Sequence, residues 1–588
     1  MLVGLTVRLP FFLTTDFPLN DGGLFYVMSR EITAAHYALP AYTAYNLEDI
    51  PFAYPPLAFY LAAALSDGLR VPLLAVVRYL PLVANLLTIA AFYALATSLV
   101  RSRYTALLAA IAFAIAPRSY EWLVMGGGLT RSLGFLCAVS SLAQAKAVYQ
   151  RPSAWRLALA GTLAALALLS HLEMGLFVVE SYALFFLRYG RSWQGVRVSA
   201  LLGAMLVGLT APWWLTVVGT HGLAPYAAAS ATAGWSTLQQ SWDTLLDFTL
   251  PGHPFLAILG GIAFLGALVC ALRGEPLVPV WLLAIFVLTP RSAPTEATVP
   301  LALLIGIGLT EVLSVGLLSA ARQSPLLHRW HRVMRPVAPW RPRRLSFAAL
   351  TVGMVAFCTL VLPPWLPPHN GTYALEALPG PEREVMAWIA EHTPDTSTFL
   401  VLSPKRSWEA DYILEWFPAL ARRKSLLTPQ GAEWLPAQVH ARRTCLYNRL
   451  RALPTDSLPD LEGWLARLQV AYSHVYISGL APGDVDLEPL RDAFRTSPGY
   501  RVLWDDSGAT VLVRTDTVVQ AGATDGEPAI APDCQTLFDQ PIEAQATFSA
   551  VFGDLAPRMW MQEHTRDLQA LKPLPAFPGT AFAAANHQ

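Results

Sequence analysis

The sequence predicts a polytopic α-helical membrane protein of about eleven spans, carrying an extracytoplasmic α/β module at its C-terminal end. Three observations lead there. Of 588 residues, 54% are hydrophobic and 14% charged, with mean hydropathy +0.41, whereas soluble chains carry about 25% charged residues. The 41 basic and 41 acidic residues balance but are segregated: 6 acids fall in residues 1–80, 8 in 81–320 and 27 in 364–588. Apolar runs approaching the roughly 20 residues that span a bilayer recur along the first two thirds. An ordinary soluble enzyme, a disordered chain and a nucleic-acid binder with a basic footprint are excluded.

Residues 2–13 read as the exit end of a first span whose start precedes the sequence. They contain Arg8 and Pro10, and lack the basic start and small-residue cleavage site of a signal peptide. A first outer loop follows over 14–80, with 55–69 as an interfacial helix inside it. The expected spans are 81–100, 104–118, 132–149, 155–171, 173–188, 199–218, 254–272, 277–290, 299–320 and 346–363. Orientation comes from Lys and Arg in short loops, which stay cytoplasmic. Arg101/Arg103, Arg151/Arg156, Arg188/Arg191/Arg197, Arg273 and the run 321–344, with seven arginines and no acid, mark that side. The loops at 14–80, 118–131, 171–173, 219–253 and 291–298 are then outside, as is everything after 363.

Residues 364–380 are a Pro/Gly-rich linker. In 381–515 a helical stretch opening at Pro381, a strand at 398–403, helical spacing near 407–423, a strand at 473–478 and a hairpin over 500–514 alternate as in a small α/β module. From 516 to 588 Ala, Pro, Thr and Gln dominate, and a weakly ordered tail is expected. The five cysteines show no metal-binding spacing. Cys137, Cys270 and Cys358 sit in apolar runs, while Cys445 and Cys534 share the outer part, where a disulfide between them is an option.

Chemistry concentrates in the outer loops. Asp16 and Asp21 follow the first span and precede an amphipathic segment from Gly22. Asn20 or Asp21 suits a helix cap, and Asp21, with Asp16, suits a general base or a cation ligand. Tyr54-Pro55-Pro56 comes next. Gly126-Gly127-Gly128 before Thr130-Arg131 allows close backbone approach at a helix start, where N–H groups face an anion and Arg131 grips a phosphate. His171 and Glu173 form a polar cluster between two apolar helices, suited to a metal site with Asp21 or to substrate contact, or to an interhelical hydrogen bond. Glu180, deeper, reads as structural. The loop 219–253 holds His221, Tyr226, Asp243 and His253 as substrate contacts. In the next outer loop lie Glu296 and Arg291, a second phosphate contact. Asn370-Gly371-Thr372 matches a glycosylation sequon.

The first-loop aspartate, the Tyr-Pro-Pro element, the many spans and the outer module together resemble the GT-C superfamily of integral membrane glycosyltransferases, nearest its protein O-mannosyltransferase and aminoarabinose-transferase branch. The resemblance covers about residues 1–363. It implies a polyprenyl-phosphate sugar donor, an essential first-loop acid at Asp21, and a proline element at Tyr54-Pro55-Pro56. The branch's Asp-Glu dipeptide is here Asp21-Gly22. The implied reaction is an inverting transfer at the extracytoplasmic face of the plasma (inner) membrane. A protein, lipid or glycan acceptor is activated by Asp21, and Arg131 or Arg291, with a divalent cation (Mg or Mn) as an optional helper, meets the leaving lipid phosphate. The rival readings are a transporter or flippase of lipid-linked substrates and a non-catalytic scaffold.

Overall fold

The computed structural model describes residues 1–232, 245, 254–313 and 375–515, apart from 406, 453–456, 468–469, 480–484 and 507. The expected span at 346–363, the arginine run, the sequon, Asp243, His253 and the tail lie outside the described residues.

The N-terminal part is helical: α1 (Leu2–Leu13), α2 (Gly23–Ala34), α3 (Leu57–Leu69), α4 (Leu73–Leu99), α5 (Arg103–Ile115), α6 (Glu121–Val124), α7 (Gly128–Gln150), α8 (Ala154–Ser170), α9 (Leu172–Tyr189), α10 (Trp193–His221), α11 (Ala224–Thr232), α12 (Pro254–Leu272), α13 (Leu277–Leu288), α14 (Ala293–Glu296) and α15 (Thr298–Gly308). Serines start three of them. Ser102, Ser153 and Ser192 accept N–H groups of α5, α8 and α10, satisfying donors that a helix start leaves open. Helix α4 begins eight residues before the expected 81, at Leu73, with Pro81 inside it. Arg78, in the added first turns, donates to the carbonyl of Phe12 at 2.7 Å.

Among the described residues, three stretches are long and apolar enough to cross a membrane: Leu73–Leu99, Trp193–His221 and Ala293–Val312. A fourth is the pair Arg103–Ile115 and Pro117–Val124, bent by 88°. The expectation of about eleven spans is therefore met by length at three or four places. Other apolar helices, such as Leu2–Leu13, Ala154–Ser170 and Leu277–Leu288, are shorter than 18 residues. The 88° break has a local cause: Pro117 cannot continue the helix and frees carbonyls behind it. Arg8, fully buried, fills the gap, donating to Ala114 O at 2.7 Å, Asn85 Oδ1 at 2.5 Å and Ser119 Oγ at 3.3 Å. A charge that argued against α1 as a membrane helix is thus satisfied by a broken one beside it.

The C-terminal part folds as α16 (Gly380–His392), β3 (Thr398–Leu402), α17 (Tyr412–Ala421), β4 (Lys424–Ser425), α18 (Ala437–Ala452), α19 (Leu458–Arg467), β5 (His474–Ser478), α20 (Glu488–Thr496), β6 (Tyr500–Asp506) and β7 (Ala509–Arg514). Its five-stranded sheet runs β4-β3-β5-β7-β6, parallel at β3–β4 and β3–β5 and antiparallel at β5–β7 and β6–β7. The three long strand signals of the sequence appear, and the two-residue β4 was too short to see. A small hairpin, β1 (Tyr42–Thr43) with β2 (Ile50–Pro51), belongs to the first loop.

That loop is docked on the module. Its Phe17, Leu24, Phe25 and Tyr45 share one hydrophobic core with Trp416, Phe417 and Phe399. Two asparagines with positive φ act as clamps. Asn20 N–H donates to Glu376 O at 2.7 Å, while its Oδ1 accepts from Glu376 N–H at 3.0 Å. The Asn46 carboxamide bridges both backbone groups of Ser425, at 3.0 and 2.7 Å.

Candidate active site between the helical bundle and the C-terminal module

Beyond the Asn20 clamp the chain drops toward the start of α7. Leu19 O accepts from Gly126 N–H at 2.8 Å. The Asp21 carboxylate accepts from Gly127 N–H at 2.9 Å through Oδ1, and its Oδ2 lies 3.7 Å from Arg131. Gly127 is the N-cap residue of α7, so the carboxylate sits on the positive end of that helix. This close approach is why the glycines are there. A Cβ at Gly126 would lie 2.1 Å from Asp21 O, and one at Gly127 2.1 Å from Asp21 Oδ2. Gly22, at φ 131°, faces Gly126 Cα from the other side.

The sequence reading of the triple glycine as an anion seat holds with a different anion, since the carboxylate at the start of α7 is Asp21's own. The capping reading does not hold. The N-cap of α2 is Gly22, without a side-chain bond, because Asn20 and Asp21 are engaged elsewhere.

Around this carboxylate the fold collects other residues expected to act. Arg131 stacks on Trp122, its Cζ 4.9 Å from the ring centre. Tyr54 Oη lies 3.3 Å from Thr130 Oγ1, and its ring meets that of His171 edge-on at 5.9 Å. His171 is the single residue between α8 and α9, with Nδ1 3.9 Å from Glu173. Glu173 in turn lies 3.5 Å from Arg291 Nε. Both Arg131 and Arg291 are within electrostatic reach of Tyr54 and His171.

Asp21, Arg131, Tyr54, His171, Glu173 and Arg291 are thus one constellation drawn from five segments. Glu296 joins a different group: it accepts from the Thr289 hydroxyl at 2.6 Å, an oxygen that also lies 3.4 Å from Glu180. Asp16 is separate, largely exposed and paired with Arg383 of α16 at 2.5 Å. His221 is also elsewhere, its Nε2 2.8 Å from Ala41 O and its ring against Tyr42.

One residue of the site went unforeseen. Glu415 of α17 reaches from the module and accepts the N–H groups of Gly22, at 2.9 Å, and of Leu24, capping α2 from a distant part of the chain. Its neighbour Trp416 donates to Asn20 O at 2.8 Å. The signal was legible in principle, because Glu415 is the lone charged residue in a ten-residue helix that is otherwise mostly apolar, and an acid in such a helix needs a partner.

Burial, and then the nearby Asp21 carboxylate, raise Glu415 from the usual 4.5 to about 8. Burial also raises Asp21, but Arg131 and the Gly127 N–H oppose it. Of the two, Asp21 has the neighbours that favour a charged carboxylate, a guanidinium and an N–H. A carboxyl whose pKa is higher folded than unfolded stabilises the fold fully below 4.5, and that contribution is gone above about 8. Thermal stability in detergent should therefore decline as pH rises through neutrality toward about 8, and E415Q should flatten that decline. An unchanged slope in the variant would place the titrating group elsewhere.

The Asp21 carboxylate faces an N–H and a guanidinium, neighbours suited to an anion, and the described residues contain no group of three or more His, Cys, Asp or Glu arranged to hold a metal.

No family model and no curated protein matches this sequence. Solved structures do. ArnT from Cupriavidus metallidurans in the apo state superposes with TM-score 0.52 at 15% identity, over 87% of this chain and 97% of that one. The same protein bound to undecaprenyl phosphate gives 0.50 at 16%, over 90% and 99%. The archaeal oligosaccharyltransferase AglB from Archaeoglobus fulgidus, in complex with an inhibitory peptide and a dolichol-phosphate, gives 0.50 at 14%, over 96% and 80%. The chain therefore shares its overall fold with these solved structures, over most of its length.

Proposed function

We propose that the protein is a membrane glycosyltransferase that moves a sugar from a polyprenyl-phosphate donor to an acceptor, with inversion, on the extracytoplasmic face of the plasma (inner) membrane. The observation that carries this reading is the Asp21 carboxylate held at the start of α7 beside Arg131, in a fold shared with solved complexes of undecaprenyl phosphate and dolichol-phosphate. The acceptor's nucleophile attacks the anomeric carbon, and its proton passes to Asp21. The bond from that carbon to the phosphate oxygen breaks, and its electron pair leaves on the lipid phosphate. Arg131 and Arg291 bind that phosphate and stabilise the charge that develops on it. A buried carboxylate of raised basicity suits the proton transfer. No step is routed through a metal ion.

Orientation rests on the basic loops. The acceptor class stays open among protein, lipid and glycan. The test incubates membranes containing the full-length protein with undecaprenyl-phosphate-linked sugars. Sugar-dependent product is expected, and a parallel incubation with EDTA reads whether a divalent cation takes part. Movement of lipid across vesicles without any transfer would favour the transporter instead.

A further inference from the structure

Four polar atoms near the constellation are buried and have no hydrogen-bond partner among the described residues: His171 Nδ1, Trp213 Nε1, Tyr226 Oη and Glu433 Oε2. Folded proteins seldom leave such groups unpaired, and each one calls for an explanation. Trp213 is only 5% exposed and His171 7%, so bulk water does not serve them.

These atoms are not scattered. The ring of Tyr54 touches that of His171 on one side and that of Trp434, from the module, at 5.6 Å on the other. Trp434 meets Tyr226 at 6.4 Å, and Tyr226 meets Trp213 at 6.0 Å. Glu433 precedes Trp434 and lies within electrostatic reach of Arg291, which itself pairs with Glu173 beside His171. An arc of edge-on aromatic rings therefore carries a donor N–H, a hydroxyl, an imidazole nitrogen and a carboxylate oxygen, all unused. Flat apolar faces beside unpaired donors and acceptors match the chemistry of a pyranose or furanose ring, which is apolar on its C–H faces and rimmed with hydroxyls.

We infer that Tyr54, Trp434, Tyr226 and Trp213, with Glu433 and His171, form the subsite for the sugar ring of the donor, so that the C-terminal module supplies part of sugar recognition. This deepens the glycosyltransferase reading and rests on it. The donor sugar is favoured over an acceptor because Arg291, the proposed phosphate contact, pairs with Glu173 and acts electrostatically on both Glu433 and His171, and the donor sugar is bonded directly to that phosphate. A site built to hydrogen-bond hydroxyls discriminates strongly against ligands that lack them.

The experiment measures binding of two probes to the full-length protein in nanodiscs: bare undecaprenyl phosphate and undecaprenyl phosphate carrying a hexose or a pentose. Wild type should prefer a sugar-bearing lipid by about tenfold or more. Tyr226→Phe keeps the ring and removes its hydroxyl, and Trp213→Phe keeps an aromatic face, smaller by the pyrrole ring, while removing the N–H donor. Together with Glu433→Gln they should erase most of that preference and leave the bare lipid's affinity unchanged. Trp434→Ala should do the same, with Trp434→Phe restoring part of it. Equal affinity of wild type for both probes, or a preference untouched in the combined variant, would overturn the subsite alone. Failure of either lipid to bind would overturn the glycosyltransferase reading and the subsite with it.

Discussion

Asp21→Asn is expected to lower sugar transfer by about 10²- to 10⁴-fold, the usual contribution of a positioned general base. Asparagine has the same shape, and its Oδ1 can still accept from Gly127 N–H, the bond seen at 2.9 Å. The loop, α2 and the module should therefore keep their places. What disappears is the charge facing Arg131 and the capacity to take a proton. The loss should fall on kcat, with little change in KM for the lipid donor, because the arginines assigned to the phosphate remain. The substitution also tests the coupling. The Asp21 carboxylate helps raise the Glu415 carboxyl, so in Asp21→Asn the titration assigned to Glu415 should move down from about 8 while burial still holds it above 4.5. Activity within a few-fold of wild type would remove Asp21 as the base.

Gly127→Ala should inactivate the enzyme to a similar degree while leaving every proposed chemical group in the sequence. The added methyl would stand 2.1 Å from Asp21 Oδ2 and 2.5 Å from its Cγ. The carboxylate must swing away, losing both the Gly127 N–H and Arg131. The backbone cannot yield easily, because Gly126 and Gly22 pack against the same turn from either side. Gly68→Ala is the matched control, since its Cβ meets nothing within 4 Å, and it should retain full activity. Transfer by Gly127→Ala at wild-type rate would show that Asp21 acts from some other position, and the proposed geometry would fall.

These expectations separate what the amino-acid order announces from what it conceals. Hydropathy, loop charge and β-alternation were enough to anticipate a helical membrane part followed by an α/β module, because burial in lipid or in a core acts on each segment by itself. Asp21, Arg131, Tyr54, His171, Glu173 and Arg291 were each visible as polar residues at the ends of apolar runs, where an unexplained charge is costly. Helix lengths were less legible. Arg8 looked like an interruption until the carbonyl of Ala114 was found to receive it.

The remainder was decided by contacts across hundreds of residues. No local pattern links Glu415 to Gly22, Trp416 to Asn20 or Glu433 to Arg291. No local pattern shows that the anion accepted by the triple glycine is a carboxylate from the first loop. The sequence by itself determined which residues must leave water and which can carry charge, since those are properties of single side chains. Only the tertiary structure decided which partners each carboxylate would face and where, because that depends on distances that chain order does not encode.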